Sequence, residues 1–173
     1  MQTEASEITL APTAAGDLAA ISTLHAAVFG PGRFARSAYR IREGARHLSP
    51  HCRVARDPAG RLVGAVTMTA ITVGDAPGHW LLGPLAIHAD IARRSIGRSL
   101  VRAALASVAE TGSATAVVLL VGDLKYYEPL GFAPVPLGQI RLPGPVDPAR
   151  LLFWRGPAQD RQLPGGIVRR QDD

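Results

Sequence analysis

Apolar positions along this chain change period several times, and each change marks an element. Ile8 to Leu10 predict a short first strand. Leu18, Ile21, Leu24 and Val28 then recur at the spacing of one helix face, and Gly30-Pro31-Gly32 stops that helix. Phe34, Ala38, Ile41, Ala45 and Leu48 predict a second helix, ended by Ser49-Pro50, with Arg36 and Arg40 on one face beside the stripe. Cys52 to Arg56 reads as a strand, Asp57-Pro58-Ala59-Gly60 as a hairpin turn, and the Val-, Thr- and Ile-rich Leu62 to Val73 as a long strand. Gly74 to Gly78 turns the chain back into Trp80 to Ile87, completing an antiparallel meander of three strands.

The pattern then becomes that of a crossover. After a turn at Ala89 to Ser95, the residues Ile96, Leu100, Ala104 and Val108 form the core stripe of a third helix ending at Gly112. Ala116 to Val121 is an unbroken apolar run, as expected of a strand covered on both faces. Strand, helix and strand together predict a right-handed parallel crossover. A short helix from Leu124 to Leu130 leads to Gly131-Phe132 and a last pair of strands, the second near Leu151 to Trp154. Pro134 to Pro148 is a Pro/Gly-rich connection, and the tail after Gly156 is expected to be irregular. The reading is one domain over residues 1–173, with its core at about 8–155 and no internal repeat.

Composition narrows the class. Of 173 residues, 47% are hydrophobic and 19% charged, which fits a globular chain and excludes disorder. No apolar run reaches the eighteen or so residues of a membrane span, and the acidic start Met1-Gln2-Thr3-Glu4 is unlike a signal peptide. The single cysteine, Cys52, excludes an internal disulfide and fits a reducing cytoplasm, the expected location. The net charge of +5 rests on arginine, since Lys125 is the only lysine, and this composition suits a GC-rich bacterial genome. Excess positive charge favours anionic partners, but no nucleic-acid-binding motif accompanies it, so nucleic acid is the minor reading.

Candidate chemistry concentrates between Trp80 and Phe132. The strand ending Leu85-Ala86-Ile87 runs into a turn holding Arg93, Arg94, Ser95, Ile96, Gly97 and Arg98, where a helix begins. Unpaired N–H groups at a helix start, small side chains and positive charge suit a diphosphate, although an ordinary turn with surface arginines has the same look. About forty residues after Leu82 comes Gly122-Asp123-Leu124-Lys125-Tyr126-Tyr127-Glu128-Pro129-Leu130-Gly131-Phe132. Together these segments resemble the acetyl-CoA-binding half of the GNAT N-acetyltransferase superfamily, and the likeness extends over about residues 8 to 155.

The resemblance implies an α/β fold: a mostly antiparallel mixed sheet of six to seven strands with a parallel central pair, flanked by about four helices. It implies acetyl-CoA as co-substrate, with its pyrophosphate at the turn. The family pattern Gln/Arg-x-x-Gly-x-Gly/Ala falls on Ala92 to Gly97: Gly97 matches, while Ala92 and Ser95 depart from it. Leu85, Ala86 and Ile87 would line a gap between splayed parallel strands where the pantetheine arm pairs, and Gly83-Pro84 is consistent with a break there. Tyr127, four residues before Gly131-Phe132, would act beside the thioester sulfur, whereas Tyr126 misses the pattern by one. A tyrosine merely packed beneath the sheet is the alternative for Tyr127.

The implied reaction is acetyl transfer to an amine by direct attack in a ternary complex, on a small molecule or a protein amine. A non-catalytic CoA-binding or regulatory protein of the same fold is the alternative. Glu43, His79 and Asp75 are candidate bases, and no spacing selects among them. His47 and His51 have a metal-like spacing, but Pro50 intervenes and no third ligand is evident, so no metal is expected. Cys52 reads as packing rather than as a nucleophile. A homodimer through Leu151-Leu152-Phe153-Trp154 is open, since the same residues suit an internal strand.

Overall fold

The computed structural model describes residues 7–35, 37–43, 48–91, 94–111, 115–156 and 162–172. Strand β1 (Thr9–Pro12) is followed by helix α1 (Leu18–Phe29), a 3-10 turn at Pro31–Ala35 and helix α2 (Ser37–Arg42). The meander is β2 (Arg53–Arg56), β3 (Leu62–Val73) and β4 (Ala76–Ile87). Helix α3 (Arg94–Glu110) crosses to β5 (Val118–Val121), and the one-turn helix α4 (Leu124–Tyr127) follows. The chain finishes with β6 (Ala133–Pro134), β7 (Ile140–Arg141), β8 (Leu151–Trp154) and β9 (Gly166–Arg170).

The strands form one sheet in the order β1-β2-β3-β4-β5-β8-β6, with β9 and β7 branching from β3. All neighbours along that path are antiparallel except β4 and β5, which are parallel as the crossover pattern predicts. On one face α3 lays Leu100, Val101 and Ala104 on Met68, Leu82, Val118 and Leu120. On the other, α1 packs Ile21 and Leu24 on Ala65 and Ala86, and α2 packs Ile41 among Ile71, Leu81 and Leu119. Val118 and Leu119 are fully buried, which explains the unbroken apolar run of β5.

Four expectations need correction. The second helix does not reach Leu48: α2 stops at Arg42, Leu48 is exposed, and Ala45 lies outside the described residues. On α1 the buried face is Ile21, Leu24 and His25, while Leu18 and Val28 are exposed. The β3–β4 turn is the two residues Gly74-Asp75, since Val73 already faces Ala76. The tail is not wholly irregular, because within its described residues β9 pairs with Ile71 to Val73 of β3 and in parallel with β7. The residues Leu151 to Trp154 form an internal strand between β5 and β6, with Leu152 fully buried.

The edge of β3 opposite β4 is thereby shared. β2 covers its first half and β9 its last, while Cys52 bridges between them, its Sγ accepting from Met68 N–H at 3.3 Å. This contact and burial push the Cys52 thiol in opposite directions, and burial prevails by raising its pKa. A neutral packed thiol results. The β9 docking needs glycine twice: Gly74 (φ 58°) and Gly166 (φ 125°) approach so closely that a Cβ on Gly166 would lie 2.8 Å from the Gly74 Cα.

Gly166→Val combines that clash with an unfavourable φ. It should cost about 1–3 kcal/mol in denaturant unfolding and release β9 amides to hydrogen exchange. Unchanged stability and protection would contradict the docking.

A second expectation concerns acid. Burial, then the Arg42 and Arg33 charges, lower the His25 pKa to about 4, and burial also lowers those of His51 and His79. A depressed histidine pKa adds stability above its unfolded value of about 6.5, and that contribution is lost as pH falls toward the folded value. Stability by urea unfolding should therefore drop between about pH 6.5 and 4; a flat profile would contradict buried neutral histidines.

Candidate active site

The parallel pair that opens the site is short. β4 and β5 are in register only at Trp80 with Val118 and Leu81 with Leu119. Beyond Leu81, β4 continues to Ile87 paired with β3 alone, while β5 turns its other side to β8. Between Leu82 and Leu85 the β3 register shifts, and Gly83, at φ 129°, sits with Pro84 in the extra length. This is a bulge, which bends a strand and ends pairing. Among the described residues the segment Leu82 to Ile87 thus has one edge without a strand neighbour. Along it, the Leu85 and Ile87 side chains turn toward the α3 face, while Ala86 is buried against α1.

The uncovered edge leads to the start of α3. Arg94 is the first helical residue, Ser95 is exposed, Ile96 and Gly97 are buried and Arg98 is half-buried. Arg93 and Ala92 lie outside the described residues. The first turn of a helix carries N–H groups without intrahelical acceptors and a partial positive charge, so it suits an anion. Arg98 adds a buried Nε that has no hydrogen-bond partner among the described residues.

α4 packs beside the first turn of α3. Asp123 caps it, accepting from Lys125 N–H at 3.1 Å, and the turn ends on Gly131 in the left-handed region. Two adjacent tyrosines on one turn touch edge-on and meet different neighbours. Tyr126 reaches toward α3: its ring lies 5.4 Å from the Arg98 guanidinium carbon, and a Cβ on Gly97 would collide with its hydroxyl. Tyr127 packs edge-on to Tyr126 at 4.8 Å and to Phe132 at 5.6 Å. Gly122 makes room for it, since a Cβ there would lie 2.5 Å from Tyr127 Cε2. Burial, then the neighbouring Tyr126, push the Tyr127 pKa up to about 12 despite Arg150. Its hydroxyl therefore stays protonated at neutral pH.

Sequence reasoning passed over Tyr126, which misses the family pattern by one residue. A glycine inside the first helical turn costs about 1 kcal/mol relative to alanine and so implies a close neighbour. That signal was available, but nothing in the spacing identified the neighbour as a tyrosine hydroxyl.

The candidate bases scatter. Asp75 is exposed in the β3–β4 hairpin, at the opposite end of β4 from Ile87. Glu43 is exposed just beyond α2. His79 is buried and its Nδ1 accepts from Val117 N–H at 3.2 Å. The His51 Nδ1 lies 2.8 Å from Ser107 Oγ in the core, and its ring packs edge-on to Trp80 at 4.4 Å. His47 lies outside the described residues. Among the described residues no group of three or more His, Cys, Asp or Glu could hold a metal, and no helix is long and apolar enough to cross a membrane.

A sequence profile of the Acetyltransferase (GNAT) family matches residues 18–132. Among solved structures, the CoA complex of the GNAT family N-acetyltransferase YhbS from Escherichia coli gives a TM-score of 0.80 at 22% identity, covering 99% of this chain and 93% of that one. A GNAT family acetyltransferase from Brucella melitensis in complex with acetyl-CoA gives 0.71 at 23%, covering 96% and 97%. At such identities the likeness is one of fold. No curated protein sequence matches the chain significantly.

The contact between Gly97 and Tyr126 can be tested by a pair of substitutions. Gly97→Ala should destabilise the protein by about 1 kcal/mol as the hydroxyl is displaced, and Tyr126→Phe should recover most of that loss in the double variant. Additive effects in the cycle would contradict the contact.

Proposed function

Because this chain belongs to the acetyltransferase (GNAT) family, we propose that it transfers the acetyl group of acetyl-CoA to an amine by direct attack in a ternary complex. The observation that carries the reading is the end of β4–β5 pairing after Leu81 and Leu119, with Leu85 of the continuing β4 strand and Tyr126 both beside Gly97 in the first turn of α3. The backbone of Leu85, Ala86 and Ile87 would pair with the pantetheine amides. The N–H groups of Arg94, Ser95, Ile96 and Gly97, with the side chains of Arg93, Arg94 and Arg98, would hold the pyrophosphate. The buried, unpartnered Arg98 Nε fits such an anion.

Acetyl-CoA supplies an activated acyl carbon and a thiolate leaving group. The neutral amine attacks that carbon, the C–N bond forms, and the C–S bond breaks with its electron pair going to sulfur. Tyr127 Oη–H would donate a hydrogen bond to the sulfur as its charge grows. With its pKa at about 12 and an ordinary thiol near 8.5, complete proton transfer from Tyr127 is uphill by roughly 5 kcal/mol. The tyrosine thus serves as a donor that stabilises developing charge, with the proton released from nitrogen available to the thiolate through solvent. No carboxylate among the described residues is buried beside Tyr127, so water is the proposed proton acceptor.

Tyr127→Phe should lower kcat by about 10²-fold, with the affinity for acetyl-CoA unchanged. In the wild type the rate should rise as the acceptor amine deprotonates and show no falling limb at the ordinary phenol pKa of about 10. A Tyr127→Phe enzyme at full rate, or a limb at pH 10 abolished by that substitution, would overturn the assigned role.

A further inference from the structure

The approach to β8 brings one charged residue to the side of Tyr127. β5 and β8 pair from Val118 with Trp154 to Val121 with Leu151. One further backbone bond, from Gly122 N–H to the Arg150 carbonyl at 2.9 Å, extends that ladder to the 3-10 turn Pro148–Arg150. Residues opposite one another in an antiparallel pair share a face of the sheet, and the faces alternate along each strand. Leu120 and Leu152, one such pair, both lie in the cluster under α3, while Leu119, Leu151 and Phe153 lie in the cluster on the other face. Gly122 and Arg150 are the next pair on the α3 side. They stand three residues past Leu119, about 10 Å along β5 from the point where β4 pairing ends.

Tyr127 occupies the same face. A Cβ on Gly122 would lie 2.5 Å from its Cε2, and its ring packs against the cluster under α3. The absent side chain at Gly122 thus leaves the phenol and the Arg150 stem as neighbours across the ladder. A leucine at this position would continue the apolar stripe of Leu152 and Leu120, yet an exposed arginine stands there. No described carboxylate forms an ion pair with it, and Asp147, close to it in the chain, accepts from Ala149 N–H at 3.0 Å. The Arg150 charge opposes the upward push that burial and Tyr126 exert on the Tyr127 hydroxyl. Other charged groups nearby are differently placed. Arg98 of α3 lies over the Tyr126 ring, Arg155 beyond β8 lies over Phe153, and Asp123, Lys125 and Glu128 of the tyrosines' own turn are exposed.

We propose that Arg150 is a positioning residue for acetyl transfer: its guanidinium, across the β5–β8 ladder from Gly122, biases the Tyr127 hydroxyl toward donating to the sulfur. The proposal rests on the acetyl-transfer reading for the sulfur, whereas the coupling of Arg150 to Tyr127 is testable without turnover. No proton changes hands in this step. A cation beside a phenol favours negative charge on its oxygen, so the O–H group is more polarised and its hydrogen bond to a developing thiolate is stronger. Solvent screens an exposed guanidinium, which keeps the effect small.

The test has two arms, both on the full chain. In the first, fluorotyrosine replaces Tyr127, which brings the phenol titration into the range where the protein is folded, and fluorine NMR follows its ionisation. Arg150→Gln should raise that pKa by about 0.5 unit, and Arg150→Lys should leave most of the original value. In the second, thiol release from acetyl-CoA is measured with n-butylamine as acceptor. Arg150→Gln should lower kcat about two- to fivefold with the KM for acetyl-CoA unchanged, and Arg150→Lys should restore most of the rate. In a Tyr127→Phe background Arg150→Gln should lower nothing further, whereas a merely structural effect would persist there. An unchanged fluorotyrosine pKa overturns the proposal whatever the rates. A raised pKa with no loss of rate, or with an equal loss in the Tyr127→Phe background, overturns the part assigned to Arg150 in transfer. A Tyr127→Phe enzyme at full rate, or no turnover of n-butylamine, counts against the transfer reading itself, and the titration still decides whether Arg150 acts on Tyr127.

Discussion

Backbone pairing between β4 and β5 lasts two residues and then stops, and the arrangement of the rest of the molecule follows from that stop. An uncovered strand edge in a protein interior leaves N–H and C=O groups that must find partners. Here the edge of Leu82 to Ile87 is held open from both sides. β3 fixes it through its remaining ladder, and β5 is committed to β8. The bulge at Gly83-Pro84 bends β4 at the position where pairing ends. The opening is thus built by the strands' other bonds.

Around the opening the two faces of the sheet carry different chemistry. On the α3 side stand a helix N-terminus, Arg98 and two tyrosines in edge contact. Close approach there depends on absent side chains: Gly97 admits the Tyr126 hydroxyl and Gly122 admits the Tyr127 ring. On the α1–α2 side Thr69 is buried, and the half-buried Thr67 accepts from the half-buried Arg42.

Much of this was legible in the sequence. The Val- and Ile-rich run of β3, the four-residue stripe of α3 and the buried run of β5 each state their element through periodicity, and their order fixes the parallel pair. What was not legible depends on tertiary contact. β9 contains exposed Ile167 and Arg169 beside buried Val168, a weak pattern that becomes a strand only because β3 offers an edge. α2 ends at Arg42, and Leu48, the last residue of its stripe, is exposed, which depends on where the core lies and not on spacing. The pairing of Tyr126 with Gly97 joins residues distant in the chain, beyond the reach of spacing arguments.

The most direct test of the account is residue-resolved hydrogen exchange with and without acetyl-CoA. If the cofactor completes the interrupted ladder, binding should slow exchange at amides within Leu82 to Ile87 and in the first turn of α3, and leave the β2–β3 ladder unchanged. Saturable binding with no protection along that edge would mean that the cofactor sits elsewhere and that the opening between β4 and β5 has another purpose.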